Sequence, residues 1–449
     1  MFEYGPQHPL SYRQDVLRPL FERIRAGESC AVVAPASMGK TRLLDFMMRP
    51  DVQEHYLANQ SDETLILRAD CNRIDQLSEW GLYELLLTAI VEGSDQRQRA
   101  IPHRAEINTW RETVILNKEH NLLALRMLEL AARVLITDGM KLCFVLDEFD
   151  EAYRRLPAQA MAKLRALRDQ NKNRLCYVLM MRNVPEKVRR RSDCESFYEL
   201  FSRYVIGLGP YREEDMARIV TQLEERRKHT LGAPLKSALL RLSGGHAGTA
   251  YALMDIFSQH PEWGLDEAYL PQLASQPAIV EECRKLWESL PEDERRGLLA
   301  IQSGSPIPDY IAARLALKGL MSTTSGTAKI TLPMLAHYVQ QLGPSAGECI
   351  WLDEDAHTIQ IGERKVTDLS ALEFKLAAYF YERLGQVCHK DEIQAYLYAD
   401  APSPAAGDDK HVEALVRQLR EAIEPDPSHP RYLVAVRDVG YKLNAQPEA

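Results

Sequence analysis

The chain has 449 residues, 45% hydrophobic and 27% charged, ordinary values for a globular protein and enough for about three domains at ~100–200 residues each. The 23 glycines and 24 prolines are near average usage, which excludes collagen-like and low-complexity chains. Net charge is −9, which does not suggest a nucleic-acid binder, and residues 347–449 carry −8 of it, with 11 Lys and Arg against 19 Asp and Glu.

No run approaches the ~18 apolar residues of a membrane helix. The start, MFEYGPQHPLSYRQD, has neither the basic nor the apolar region of a signal peptide. A cytoplasmic protein without a membrane partner is expected. Of eight cysteines the closest two are 18 residues apart and none forms CxxC, so zinc-ribbon and thioredoxin-like sites do not fit. Most read as small buried hydrophobes.

Val16, Leu17, Leu20, Phe21 and Ile24 lie at helical spacing, Gly27 stops that helix, and Ala31–Val33 is a short apolar strand. A helix from Lys40 to about Met48 follows a glycine-containing loop, and Pro50 ends it. Thr64–Arg68, Leu142–Leu146 and Cys176–Met180 are further apolar strands, separated by helical segments. Strands of this kind alternating with helices indicate a mostly parallel α/β sheet covered on both faces. After about residue 206 the strands stop. Glu213–Arg227 and Leu235–Gln259 read as helices, the second broken at Gly244-Gly245. Residues 280–342 have the outline of a winged helix: helices, then Gly319–Ser322 and Lys329–Leu332 around a Ser325-Gly326 turn. Gly343–Gly347 is a short linker. The expected domains are an α/β nucleotide-binding domain over 1–206, a helical lid over 207–279, a winged helix over 280–342 and a further module over 348–446.

Residues 34–41 read Ala34-Pro35-Ala36-Ser37-Met38-Gly39-Lys40-Thr41, the P-loop GxxxxGK[ST] with Ala in its first position. The chemistry needs a strand-to-helix turn whose backbone N–H groups face phosphate oxygens. Gly39 permits close approach, Lys40 reaches the β/γ-phosphates and Thr41 can ligate Mg²⁺. About 100 residues downstream, Leu142–Leu146 runs into Asp147-Glu148, the form of a Walker B strand. Asp147 is the candidate for the magnesium shell, and Glu148 the candidate to orient and polarise the attacking water.

Met180-Met181-Arg182-Asn183 ends the next strand, and here the chain resembles the STAND branch of AAA+-like NTPases, near the archaeal ATPase and Orc/Cdc-type initiator families. The resemblance, over residues 8–342, implies a sensor arginine at Arg182. Ser11–Asp15 resembles the segment before the P-loop, without its glycine, which would bring Arg13 to the nucleotide. Leu208-Gly209-Pro210-Tyr211 with Asp215 resembles the start of the lid and adds Pro210. Leu242–Ala247 resembles the lid's "GGhP" motif with Ala247 in place of proline, so His246 serves either nucleotide or core.

Residues 349–444 resemble an OmpR/PhoB-type winged helix. Strands at Cys349–Leu352, Thr358–Ile361 and Arg364–Val366 form its platform. Thr367–Leu376 follows the family's "LTalEfkLL", with Ser370 and Glu373 as a capping box. Pro430–Leu443 matches its wing. The resemblance implies DNA contacts from Arg417 and Arg420 on the third helix and Arg437 on the wing. That helix, Asp409–Glu424, holds three basic and four acidic residues. Leu415, Gln418 and Glu421 depart from the usual polar or basic positions, and Asp438 replaces a wing glycine.

Together the fold class is an α/β P-loop NTPase domain with a helical lid and winged helix, followed by an OmpR-like winged helix. The resemblance implies a slow, regulatory ATPase, binding ATP/ADP with Mg²⁺, that switches the carboxy-terminal module and self-associates with nucleotide state. The partner of that module is double-stranded DNA or a protein. Two further classes compete: an initiator-like loader, thinly supported by the short basic stretch Lys187–Arg191, and a passive ATP clamp, which would not need Glu148.

Overall fold

The computed structural model describes residues 8–96, 103–324, 326–343, 349–399, 409–436 and 439–445. They form two compact units. The first runs to Pro291 and includes Leu317–Leu320 and Thr331–Met334; the second holds Glu292–Ala316, Met321–Ile330 and the chain from Leu335 onward.

In the first unit, α1 (Gln14–Ala26) buries the apolar stripe expected of it and ends at Gly27, whose φ of 67° no β-carbon favours. Five parallel strands follow in the chain: β1 (Cys30–Val33), β2 (Thr64–Asp70), β3 (Lys141–Asp147), β4 (Leu175–Met181) and β5 (Val205–Gly207). Their order in the sheet is β2-β3-β4-β1-β5. Every residue of β1 and β4 is buried, the signature of strands covered on both faces. Phe144, Tyr177, Phe197 and Phe201 fill the core beside β3 and β4 at 0% exposure, each such ring contributing about 1.5–3 kcal/mol by burial. β5 is short and pairs with β1 over only three residues.

This order places the carboxyl ends of β1, β3 and β4 side by side, where open parallel sheets bind ligands. After β1 comes α2 (Lys40–Met47); α3 (Glu79–Gln96) and α4 (Asn121–Thr137) separate β2 from β3; α5 (Phe149–Arg155) and α6 (Ala158–Gln170) separate β3 from β4. Beyond β5 are α7 (Glu213–Arg227), α8 (Ala233–Ser243), α9 (Ala247–Gln259) and α10 (Pro277–Glu288). Gly244 and Gly245, with φ of 56° and 83°, break α8 from α9. A β-carbon on Gly245 would lie 2.2 Å from the Tyr211 carbonyl oxygen, so only glycine lets this break pack on the start of the lid.

In the second unit are α11 (Glu292–Ser303), α12 (Asp309–Leu317, its last residue in the first unit), the hairpin β6 (Met321–Thr324) and β7 (Thr327–Ile330), and most of α13 (Pro333–Gln341). The same unit continues with an antiparallel platform of β8 (Ile350–Asp353), β9 (Thr358–Ile361) and β10 (Arg364–Val366), then α14 (Ala371–Tyr381), β11 (Val387–His389), α15 (Lys390–Leu397), α16 (Asp409–Ile423), β12 (Leu433–Val436) and β13 (Gly440–Leu443). Ser370 and Glu373 make the expected capping box.

The division differs from the four segments expected from sequence. The lid and the sheet form one unit, and α10, assigned above to the middle winged helix, belongs with them. The rest of the middle winged helix is one unit with the carboxy-terminal module. Arg296, 8% exposed, is the joint: its guanidinium donates to the Ile350 carbonyl at 3.1 Å and the Tyr381 hydroxyl at 2.6 Å and lies 4.9 Å from the Trp351 ring centre. Tyr310 on α12 donates to the Leu352 carbonyl at 3.0 Å. Most of the linker, residues 344–348, lies outside the described residues. Among the described residues all eight cysteines are free and buried, and no helix is long and apolar enough to cross a membrane.

Candidate nucleotide site and winged-helix interface

The loop between β1 and α2 is tied down at its base, where Ala34 donates its N–H to the Met181 carbonyl of β4 at 2.8 Å. Ser37 and Gly39 take φ of 59° and 85°, which curls the loop toward the sheet's carboxyl edge. A β-carbon on Gly39 would fall 1.9 Å from the Tyr211 hydroxyl. Glycine is required there because the lid's aromatic ring closes over the loop. Ala34, Ser37, Met38, Gly39, Lys40 and Thr41 line a cavity of about 700 Å³, with Glu148 and Arg182 on the same wall system. That volume lies within the ~300–1,000 Å³ of small-molecule sites.

Lys40 and Glu148 meet in this cavity, with Asp147 behind its wall. The Lys40 ammonium is in contact with the Glu148 carboxylate and 3.8 Å from Asp147. Arg182 reaches Glu148 from β4 at 3.0 Å. Glu148 adopts φ 51° without being glycine, a conformation costing about 1–3 kcal/mol that persists where the surroundings over-determine it. Burial pushes its carboxyl up, but the Lys40 ammonium and then the Arg182 guanidinium outweigh that and hold it below the usual carboxylate range. Asp150 is the opposite case. Burial raises it, although it accepts the backbone N–H groups of Arg182 and Asn183. Through them it fixes the end of β4.

Asp147 is 5% exposed and lies behind the cavity wall. Its Oδ1 accepts the Glu148 N–H at 2.9 Å and its Oδ2 accepts from Arg68 of β2 at 2.9 Å. The β2–β3 register, which pairs Arg68 with Val145 and Asp70 with Asp147, brings Arg68 there. Nothing in the local pattern of β2 marks that arginine, since the contact depends on strand pairing. Thr41 and Asp147 offer oxygen donors, the chemistry a hard Mg²⁺ ion takes. Among the described residues no cluster of three or more His, Cys, Asp or Glu could hold a metal ion.

Arg13, Pro210 and His246 are not on the cavity wall. Arg13 and His246 reach the backbone of the loop from behind. Arg13 is 1% exposed and donates to the carbonyls of Met38 at 2.7 Å, Gly209 at 2.9 Å and Pro210 at 2.8 Å, with its guanidinium 3.7 Å from the Tyr211 ring centre. It fastens the P-loop to the start of the lid from behind. Pro210 takes part through its carbonyl. His246 caps α9 through Nδ1 and the Thr249 N–H, and its Nε2 lies 3.4 Å from the Ala36 carbonyl. Burial lowers its pKa, opposed by that carbonyl and by Glu282. Of the two readings of His246, the structure places it in the core, touching the loop from behind.

Several wall residues had no signal in the sequence. Glu282, Lys285, Glu288 and Ser289 come from α10 and its end, and Arg42 and Tyr251 from α2 and α9. Arg42 and Tyr251, hydrogen-bonded to each other, also border a second cavity of about 540 Å³, walled by His8, Phe46, Ile219 and Leu223.

In the second unit α16 buries Val412, Leu415, Val416, Leu419 and Ile423 against the module's core. Leu415 is therefore core rather than a readout position. Arg417 is exposed and 3.9 Å from Glu421, while Lys390 of α15 pairs with Glu413 at 2.6 Å. Arg420 is turned inward. Its Nε donates to the Leu433 carbonyl at 2.8 Å, and burial lowers its pKa, so it braces β12 rather than standing free for phosphate. Arg437 and Asp438 lie outside the described residues. Glu424, 2% exposed, accepts the backbone N–H groups of Arg431, Tyr432 and Leu433 at 2.7–2.9 Å and so sets the approach to β12.

Residues 363–443 match the family described as "Transcriptional regulatory protein, C terminal". The carboxy-terminal module is of this transcriptional-regulator type. The Klebsiella pneumoniae RstA carboxy-terminal DNA-binding domain is similar to this regulator-type module at 21% identity, covering 22% of this chain and 88% of that one, with a TM-score of 0.19. The chain is also similar to a Walker-type ATPase of Pyrococcus abyssi (15% identity, 75% of this chain and 99% of that one, TM-score 0.45) and to the Aeropyrum pernix ORC2 protein in its ADP form (14%, 75% and 95%, 0.43). The chain therefore joins a parallel α/β domain that carries the P-loop sequence to a module that matches the regulator family over residues 363–443.

Proposed function

We propose that this protein binds ATP and ADP with Mg²⁺ at the P-loop, hydrolyses ATP slowly, and uses the nucleotide state to control a carboxy-terminal winged helix that acts on double-stranded DNA. The observation that carries the reading is the convergence of Lys40, Glu148 and Arg182, from three separate elements, in one cavity at the sheet's carboxyl edge. The loop's backbone and Lys40 hold the phosphate chain, and Glu148, released from Lys40 when phosphate takes its place, orients the attacking water. Arg182 then stabilises charge on the terminal phosphate. Mg²⁺, held from the protein side by Thr41 and Asp147, would neutralise phosphate charge. The neighbouring cavity around Phe46, Ile219 and Leu223 suits a flat aromatic base.

The regulator-type family of residues 363–443 supports DNA as the target. A STAND-type switch with nucleotide-dependent self-association is the fuller form of the same reading. Cytoplasmic location goes with it, as nucleotide and chromosome are both there. A second reading, docking to a protein, is favoured by the paired charges of α16 and α15, which leave little net attraction for phosphate. Duplex binding by the full chain, measured with and without ATP·Mg²⁺ across salt and beside Lys40→Ala, separates them. A nucleotide-dependent shift supports the switch on DNA. Absence of binding at low salt selects the protein partner.

A further inference from the structure

α10 lies against the P-loop along its open side. Glu282, in its second turn, accepts from the Ser37 hydroxyl at 3.0 Å. Seven residues on, the Ser289 hydroxyl accepts the Ala36 N–H at 3.4 Å, and the Ser289 carbonyl accepts from the Asn183 side chain at 3.1 Å. Asn183 is the neighbour of Arg182, so α10 follows the loop toward the end where Glu148 and Arg182 stand. The Glu282 carboxylate sits over Gly248, where a β-carbon would fall 1.8 Å from its Oε2. Glu282 and Glu288 both face the cavity, and Lys285 pairs with Glu282 at 2.7 Å.

A P-loop is built to attract anions. Here a protein carboxylate already holds one of its side chains, and a serine holds one of its N–H groups. Each added phosphate brings more negative charge toward Glu282. We propose that Glu282 determines phosphate-chain selectivity, favouring the diphosphate and obliging a triphosphate to push the α10 contact off Ser37 and Ala36. α10 runs through Ser289–Pro291 directly into the second unit, which begins at Glu292. Lys285 moderates the effect by neutralising part of the Glu282 charge.

The inference rests on the nucleotide reading above, and the test separates the two. Dissociation constants for Mg·ADP and for a β,γ-imido ATP analogue are measured by calorimetry on the full chain, as wild type, Glu282→Gln, Glu282→Ala, Lys285→Met and Lys40→Ala. Wild type is expected to bind ADP more tightly. Glu282→Gln and Glu282→Ala should tighten the triphosphate by about tenfold and ADP far less, as expected for removing one like charge at partly screened range. Lys285→Met should move the ratio the other way. An unchanged ADP-to-triphosphate ratio in both Glu282 variants, with binding intact and abolished by Lys40→Ala, overturns this inference alone. If wild type binds neither nucleotide, the proposed function falls and this inference with it.

Discussion

The P-loop cavity and the exposed face of α16 each carry Lys or Arg beside Glu, yet the charges are arranged in opposite ways. In the cavity, Lys40, Glu148 and Arg182 come from different elements and are held together by a sheet. On α16 and α15, Arg417–Glu421 and Lys390–Glu413 are pairs at solvent-exposed positions. Convergent, half-buried charge keeps its field; exposed paired charge is screened and contributes ~0–1 kcal/mol. The cavity gathers charges from three elements at one point, whereas the helix face presents little net field. A long-range basic face is thus not how this module would find DNA.

The largest expected effect tests the cavity. Glu148→Gln should lower ATP turnover by about 10²–10⁴-fold while leaving nucleotide affinity within a few-fold, read by steady-state hydrolysis and calorimetry. Equal turnover would remove Glu148 from the chemistry. Lys40→Ala comes next, with binding weakened at least ~30-fold, since a half-buried charge partner is lost.

The comparison sharpens on the helix side through its buried acid. Glu424→Gln should destabilise the module by about 1.5–3 kcal/mol, as one carboxylate serves three backbone donors. Hydrogen exchange at 431–443 in the full chain is the measurement, and unchanged protection there would break the claim.

His8 offers a pH test. Burial first, then the charges of Arg42, Arg49 and Arg218, lower its pKa from 6.5 to about 4. The unfolded chain therefore binds the proton before the folded one. The stability this neutral imidazole contributes is present above about pH 6.5 and is lost as pH falls from there toward 4. Denaturant unfolding should show roughly 2 kcal/mol lost between pH 7 and 5, and His8→Gln should flatten that slope.

The smallest effects are on α16. Arg417→Ala should leave stability unchanged and, if DNA is the ligand, reduce the salt slope of binding by about one. Arg420→Ala should instead loosen β12, because its donor is used on Leu433. Equal DNA effects from both without loss of stability would contradict the inward placement of Arg420.

The residues that belong to one continuous segment were readable in order: the apolar strands, the turn Ala34–Thr41, the strand-end pair Asp147-Glu148 and the capping box at Ser370. Each depends on local periodicity or backbone geometry, which neighbouring residues encode. Arg13 belongs to a segment that the resemblance places near the P-loop, and the folded chain brings its guanidinium to the Met38 carbonyl there. Its motif shows a cation, while only the folded lid shows the carbonyls of Gly209 and Pro210 that take its donors. Arg68 and Glu282 were invisible for the same reason. Their contacts span 79 and 245 positions and arise from strand register and helix docking, which no short pattern carries.

The division into units followed the same logic. Composition placed a break at residues 343–347, where Gly and Pro gather. In the folded chain Arg296 and Tyr310 bind the β8 backbone, within the compact unit that also holds most of α11 to α13. Sequence alone determined a phosphate loop, an acidic strand end and a regulator-type module, since each is written in contiguous residues. Tertiary structure alone decided which charges converge, which are covered and which helix guards the loop, because burial and opposition of charge exist only once distant segments are packed.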